Sequence, residues 1–119
     1  MTYETLEERL LSQSGAWKDF PFGNSVAVFK VCAKMFAMVA WRESPLRITL
    51  KCHPHDADFF RTTFDAVQPG YAMHKDHWNT VTLDGSLPEG LLLEMIESSY
   101  ALVVRGLRRA DREMLESGC

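Results

Sequence analysis

Between residues 25 and 52 the chain alternates with a period of two, and no other property of the sequence narrows the accessible folds as much. Val26, Val28 and Lys30 interleave with Ala27, Phe29 and Val31. Lys34, Phe36, Met38 and Ala40 interleave with Met35, Ala37, Val39 and Trp41. Arg47, Thr49 and Lys51 interleave with Ile48, Leu50 and Cys52. Successive side chains of a strand point to opposite faces, so the spacing predicts three strands joined as a meander, with 42–45 as the second turn. In the third strand Ile48 and Leu50 point inward while Arg47, Thr49 and Lys51 point outward. One face of the sheet is therefore expected to be partly solvated and basic.

The flanking segments have helical spacing. Over residues 2–13 Thr2 can cap a helix in which Tyr3, Leu6 and Leu10 share one face, and Glu4, Glu7 and Glu8 sit near its N-terminal end, where the macrodipole favours negative charge. Ser14-Gly15 suits a stop, and 17–23 (WKDFPFG) reads as a loop laying its aromatics over the core edge. Pro54 opens a second helix over about 54–64, with Ala57, Phe60 and Phe64 on one side. The run 69–88, PGYAMHKDHWNTVTLDGSLP, stacks several position-specific demands. Pro69-Gly70 suits a type II turn, a short strand follows near Tyr71 and a longer one from Trp78 to Leu83, and Asp84-Gly85 turns the chain. Ser86 and Glu89 then form a capping box with Pro88 in the first turn. Leu91, Leu92, Met95, Ile96, Leu102 and Val103 give the last helix its apolar stripe from about 87 to 106, with room to continue past Gly106 to Glu116. No repeat or linker divides residues 1–119. The order α-β(3)-α-β(2)-α predicts one α+β two-layer domain, a mainly antiparallel five-stranded sheet with its helices on one face.

A chain of 119 residues buries roughly two-thirds of its unfolded surface, so a core without covalent staples is possible. Cys32, Cys52 and Cys119 are odd in number and show no C-x-x-C spacing, which supports neither a disulfide framework nor a structural zinc site and favours a reducing, cytoplasmic setting. Neither a signal peptide nor a membrane span is expected.

Catalytic signatures are missing. G-x-S-x-G, both glycine-rich phosphate loops and any activating neighbour of a cysteine are absent, so the reading is non-enzymatic and without a cofactor. His53 and His55 flank Pro54, and His74 and His77 form an H-x-x-H with no obvious third ligand, so no metal is expected. A formal charge of −3 means that any polyanion binding needs a local basic patch. One candidate patch is Lys30, Lys34, Arg47 and Lys51 on the sheet, joined by His74, Lys75, His77 and Trp78: cations hold phosphates, and an aromatic ring stacks on a base. A solvated sheet face with Trp78 buried would use the same residues. Arg105, Arg108, Arg109 and Arg112, at i, i+3, i+4 and i+7, would form a second stripe along one helix face, with helix-end stabilisation and pairing to Glu113 or Glu116 as the alternative.

The run KDHWNTVTLDGSLP, preceded by Pro69-Gly70-Tyr71 and followed by Ser99-Tyr100, resembles the MmcQ/YjbR family. The likeness extends upstream through Phe29-Lys30-Val31, Lys34-Met35-Phe36-Ala37 and Leu50-Lys51, and so covers essentially the whole chain. It implies a compact α+β domain comparable with CyaY-like and secretion-chaperone-like folds, and a "double wing" motif in which β-elements present loops to DNA. It carries over no catalytic residues. The polar positions that match are Lys30, Lys34, Lys51, Lys75, His77, Trp78, Asn79 and Thr80. Where the family's first hairpin usually has a glycine, this chain has Cys32-Ala33, and alanine disfavours the φ > 0 of a primed turn, so a wider or rearranged tip is expected. The partner implied is DNA, and a monomer is favoured. The alternative is a protein-interaction module, through Trp17, Phe20 and Phe22, or a small-molecule-binding one.

Overall fold

The computed structural model describes residues 1–70 and 73–117. Helix α1 (Tyr3–Leu11) leads into six strands and three further helices: β1 (Ala16–Asp19), β2 (Ala27–Val31), β3 (Lys34–Ala40), β4 (Arg47–Lys51), α2 (Pro54–Thr63), β5 (Val67–Pro69), β6 (Trp78–Thr82), α3 (Glu89–Arg105) and α4 (Arg109–Glu116). The strands form one antiparallel sheet in the order β1-β2-β3-β4-β6-β5. Leu6 and Leu10 of α1 and Leu92, Met95, Ile96 and Val103 of α3 meet Phe29, Val39, Ile48 and Val81 of the sheet in a single apolar cluster. The two-layer α+β architecture expected from the alternation is present.

The sheet has six strands rather than five. The additional strand is β1, which the sequence reading takes as loop. Its four residues, AWKD, have no alternating apolar signal, and it exists by pairing with β2 fifteen to nine residues away (Ala16 with Val31, Asp19 with Val28). The strand expected near Tyr71 lies earlier, at Val67–Pro69, where Val67 is buried and Pro69 is tolerated because β5 is an edge. Tyr71 and Cys119 lie outside the described residues.

Local chemistry explains the element ends. The Thr2 hydroxyl caps α1 by accepting from the Thr5 amide at 3.2 Å. Pro54 opens α2 as expected, with His53 as its cap residue. Gly70 is required for close approach rather than for φ > 0. Its amide donates to the Trp78 carbonyl at 2.8 Å, and a Cβ there would stand 2.7 Å from Trp78 Cβ. The capping box does not form. Instead, the amide and hydroxyl of Ser86 both donate to Asp84 Oδ1, at 3.0 and 2.6 Å, and Pro88 precedes α3 without a side-chain cap. Those two bonds hold the Asp84 carboxyl below its ordinary value.

Candidate nucleic-acid interface

The ladder registers bring several distant residues to one end of the sheet. Lys34 follows the turn between β2 and β3; Lys51 closes β4 and is paired with Trp78, the first residue of β6. The Cys52 amide donates to the His77 carbonyl at 2.7 Å, tying the start of α2 to the loop before β6. His53 and His55 stack with centroids 5.4 Å apart, and His74 and His77 lie 5.0 Å apart, so all four histidines gather here. The opposite end of the sheet carries Glu43 and Asp84 beside the start of α1.

The β2–β3 tip is tight, not widened. Val31 pairs with Lys34 across a two-residue turn, and the positive φ falls on Cys32 at 53°, so Ala33 does not need one. The Trp17 indole donates to the Cys32 carbonyl at 2.9 Å, which holds that unusual backbone. The irregularity in this hairpin is a bulge between Phe29 and Lys30 that leaves Phe36 unpaired in the ladder. The Phe36 carbonyl is served instead by the Ser99 hydroxyl at 2.6 Å, and the same hydroxyl accepts from the Lys51 amide at 2.8 Å.

The candidate residues separate into three groups. Lys30 and Arg47 are already neutralised: Lys30 Nζ is 2.9 Å from Asp19 and lies over the Trp17 ring, and Arg47 grips Glu43 at 2.8 Å. The Lys30 ammonium, followed by the Phe20 amide, pulls the Asp19 carboxyl below its ordinary value. Asn79 and Thr80 are interior. Asn79 is 1% exposed, accepts from Arg61 Nε at 2.6 Å and donates to the Ala57 carbonyl at 3.2 Å. Thr80 Oγ1 shares a hydrogen bond with Thr49 Oγ1 at 2.8 Å, so the outward-facing Thr49 is buried as well. Lys34, Lys51 and Lys75 form the third group. Their ammonium groups have neither an ion pair nor a hydrogen bond among the described residues, and Lys34 and Lys75 are exposed. His74 and His77 are exposed beside Lys75, and Trp78 is half-buried.

Arg61 was not legible as a site residue. From α2 it donates through Nε to Asn79, through Nη2 to the Trp78 carbonyl at 3.1 Å, and through Nη2 to the Lys75 carbonyl. One guanidinium thus pins the whole Lys75–Trp78 stretch to the helix layer. The sequence offered only an arginine in the last turn of a helix, where dipole stabilisation is explanation enough.

The second arginine stripe does not form. The chain leaves the helix at Gly106, Leu107 is buried, and α4 restarts at Arg109, which destroys the i, i+3, i+4, i+7 register. Arg108 pairs with Asp111 at 3.4 Å and Arg109 with Glu113 at 3.0 Å. Arg105 instead lines a groove beside α3. Among the described residues no cluster of histidine, cysteine or carboxylate side chains is arranged to hold a metal, and no helix is long and apolar enough to cross a membrane.

The YjbR family model matches residues 11–102. The chain belongs to the YjbR family. The uncharacterized protein YjbR of Escherichia coli K12 is 31% identical over 115 residues, 97% of this chain and 98% of its own length. The uncharacterized protein YbdF of Escherichia coli O157:H7 is 32% identical over 99 residues, 83% of this chain and 81% of its own. Among solved structures, Deinococcus radiodurans protein DR2400 superposes with a TM-score of 0.88 at 35% identity, covering 97% of this chain and 88% of that one. The YjbR assignment therefore rests on sequence and backbone alike.

Proposed function

We propose that this YjbR-family chain is a non-enzymatic, cytoplasmic DNA-binding domain, monomeric in solution, that contacts phosphates through Lys34, Lys51 and Lys75. The observation that carries the reading is the distribution of unpaired charge. Lys18, Lys30, Arg47, Arg108 and Arg109 each lie within 3.4 Å of a carboxylate. The three lysines without an ion pair meet at one end of the sheet, on or beside its two projecting connections. The arginines whose side chains have neither an ion pair nor a hydrogen bond among the described residues lie elsewhere: Arg9, Arg105 and Arg112 on helices, and Arg42 at the opposite end of the sheet over Trp41. Strands are spaced ~4.8 Å apart, so the β2–β3 turn and the loop leading into β6 stand roughly 12–14 Å apart, comparable with the ~12 Å width of a major groove. Two loops at that separation suit the double-wing arrangement.

Duplex binding followed by fluorescence anisotropy at low salt tests this. Lys75→Glu and Lys51→Glu should each weaken binding by more than tenfold, whereas Lys18→Glu, on the helix side, should change it less than threefold. Equal effects at all three positions would reject the assignment. A second reading draws on the exposed Trp17, Phe20 and Phe22, at 43, 40 and 70% exposure, as a protein-contact patch. Concentration-dependent light scattering that Phe22→Ser abolishes would favour it.

A further inference from the structure

A groove of about 380 Å³ runs between α2 and α3 over the end of β4, within the range of small-ligand sites at ~300–1,000 Å³. Its apolar surface comes from Leu50, Phe60 and Met95. Its rim carries charges of both signs, Lys51 and Arg105 against Asp56 and Glu94. None of these four side chains forms an ion pair or hydrogen bond among the described residues, so both signs of charge remain open to a ligand.

The separation can be read from α3. Glu94 and Arg105 are eleven residues apart, which at ~100° and 1.5 Å per residue places them on one helix face about 16 Å apart. Ser98 and Ala101 lie between them on the same face and also line the groove, so the trough there is shallow and unobstructed. An extended peptide advances ~3.3–3.6 Å per residue, so four residues span about 13–14 Å, and the flexible ends of Glu94 and Arg105 cover the remainder. We infer that the groove binds a short zwitterionic peptide with apolar side chains, its amine at Glu94 and its carboxylate at Arg105. The groove shares Lys51 with the lysine cluster, but the two residues that hold the peptide ends, Glu94 and Arg105, play no part in DNA contact, so the peptide test stands or falls apart from the DNA-binding reading.

Cys52 lines the groove and serves as a native reporter. The experiment titrates the full chain with the tetrapeptide Ala-Leu-Leu-Ala, read by amide chemical shifts and by mass spectrometry of Cys52 alkylation. The free peptide should shift amides of residues 94–105 and slow Cys52 alkylation at least fivefold at saturation. N-acetylation and C-amidation should each weaken it about tenfold. Glu94→Gln should bind free and acetylated peptides equally while still distinguishing the amidated one, and Arg105→Gln should show the converse. Binding that is indifferent to both end groups, or absence of shifts at millimolar peptide, overturns the inference.

Discussion

Replacing Arg61 with methionine isolates the tie that positions the Lys75–Trp78 stretch, because the apolar stem is kept while all donors are removed. Three acceptors lose a partner, and their fates differ. The Trp78 carbonyl keeps the Gly70 amide at 2.8 Å, and the Lys75 carbonyl belongs to an exposed residue that water can reach. Asn79 Oδ1, on a side chain 1% exposed, has no substitute for the 2.6 Å bond from Arg61 Nε. A hydrogen bond from a charged donor is worth ~1.5–3 kcal/mol, and a stranded buried acceptor bears the whole desolvation cost. The expected loss is therefore about 2–3 kcal/mol, or roughly 6–15 °C in Tm for a domain of this size. Urea unfolding of Arg61→Met, Asn79→Ala and the double variant measures it. The double variant should be little worse than the worse single one, giving a coupling of ~1.5 kcal/mol or more. A loss below ~0.5 kcal/mol, or additivity within ~0.3–0.5 kcal/mol, would refute the assignment of Arg61 as the tie.

Two other outcomes follow from the same geometry. Ser99→Ala removes the hydroxyl that serves both the bulged Phe36 carbonyl and the Lys51 amide, so urea unfolding should show a loss of ~2–4 kcal/mol, against under ~1 kcal/mol if strand and helix held without it. Burial, reinforced by the Asp56 carboxylate, pushes the Cys52 thiol up to about 11, so its thiolate is favoured only above that pH. At pH 8 the thiolate fraction is ~100-fold below that of an ordinary thiol, partly offset by the greater nucleophilicity of a more basic thiolate. Cys52 alkylation should therefore run ~10–20-fold slower and rise about tenfold per unit to pH 10, as followed by mass spectrometry. Because the folded value is raised, this group contributes stability below the ordinary thiol value that is lost as pH climbs through about 11.

The sheet was legible where alternation is strong, from Ala27 to Lys51, and where a turn signal is unambiguous, as at Gly85 with its φ of 89°. β1 was not, because a four-residue edge strand is made by its partner rather than by its own pattern. α3 ends at Gly106 and Leu107 is buried just beyond it, a break that the arginine spacing does not encode. The site residues divided for a similar reason. Periodicity places Asn79 and Thr80 on a strand, yet only the packed structure shows Arg61 and Thr49 holding them. Lysine positions were visible in sequence, but which lysines are neutralised depends on carboxylates such as Asp19, eleven residues from Lys30 and on another strand.

The salt dependence of duplex DNA binding tests the central claim most directly. If Lys34, Lys51 and Lys75 each neutralise one phosphate, log K should fall against log salt with a slope near −2.7, and replacing any one of them with glutamine should reduce the slope by ~0.9. A flat response, or a slope unchanged in all three variants, would contradict the account.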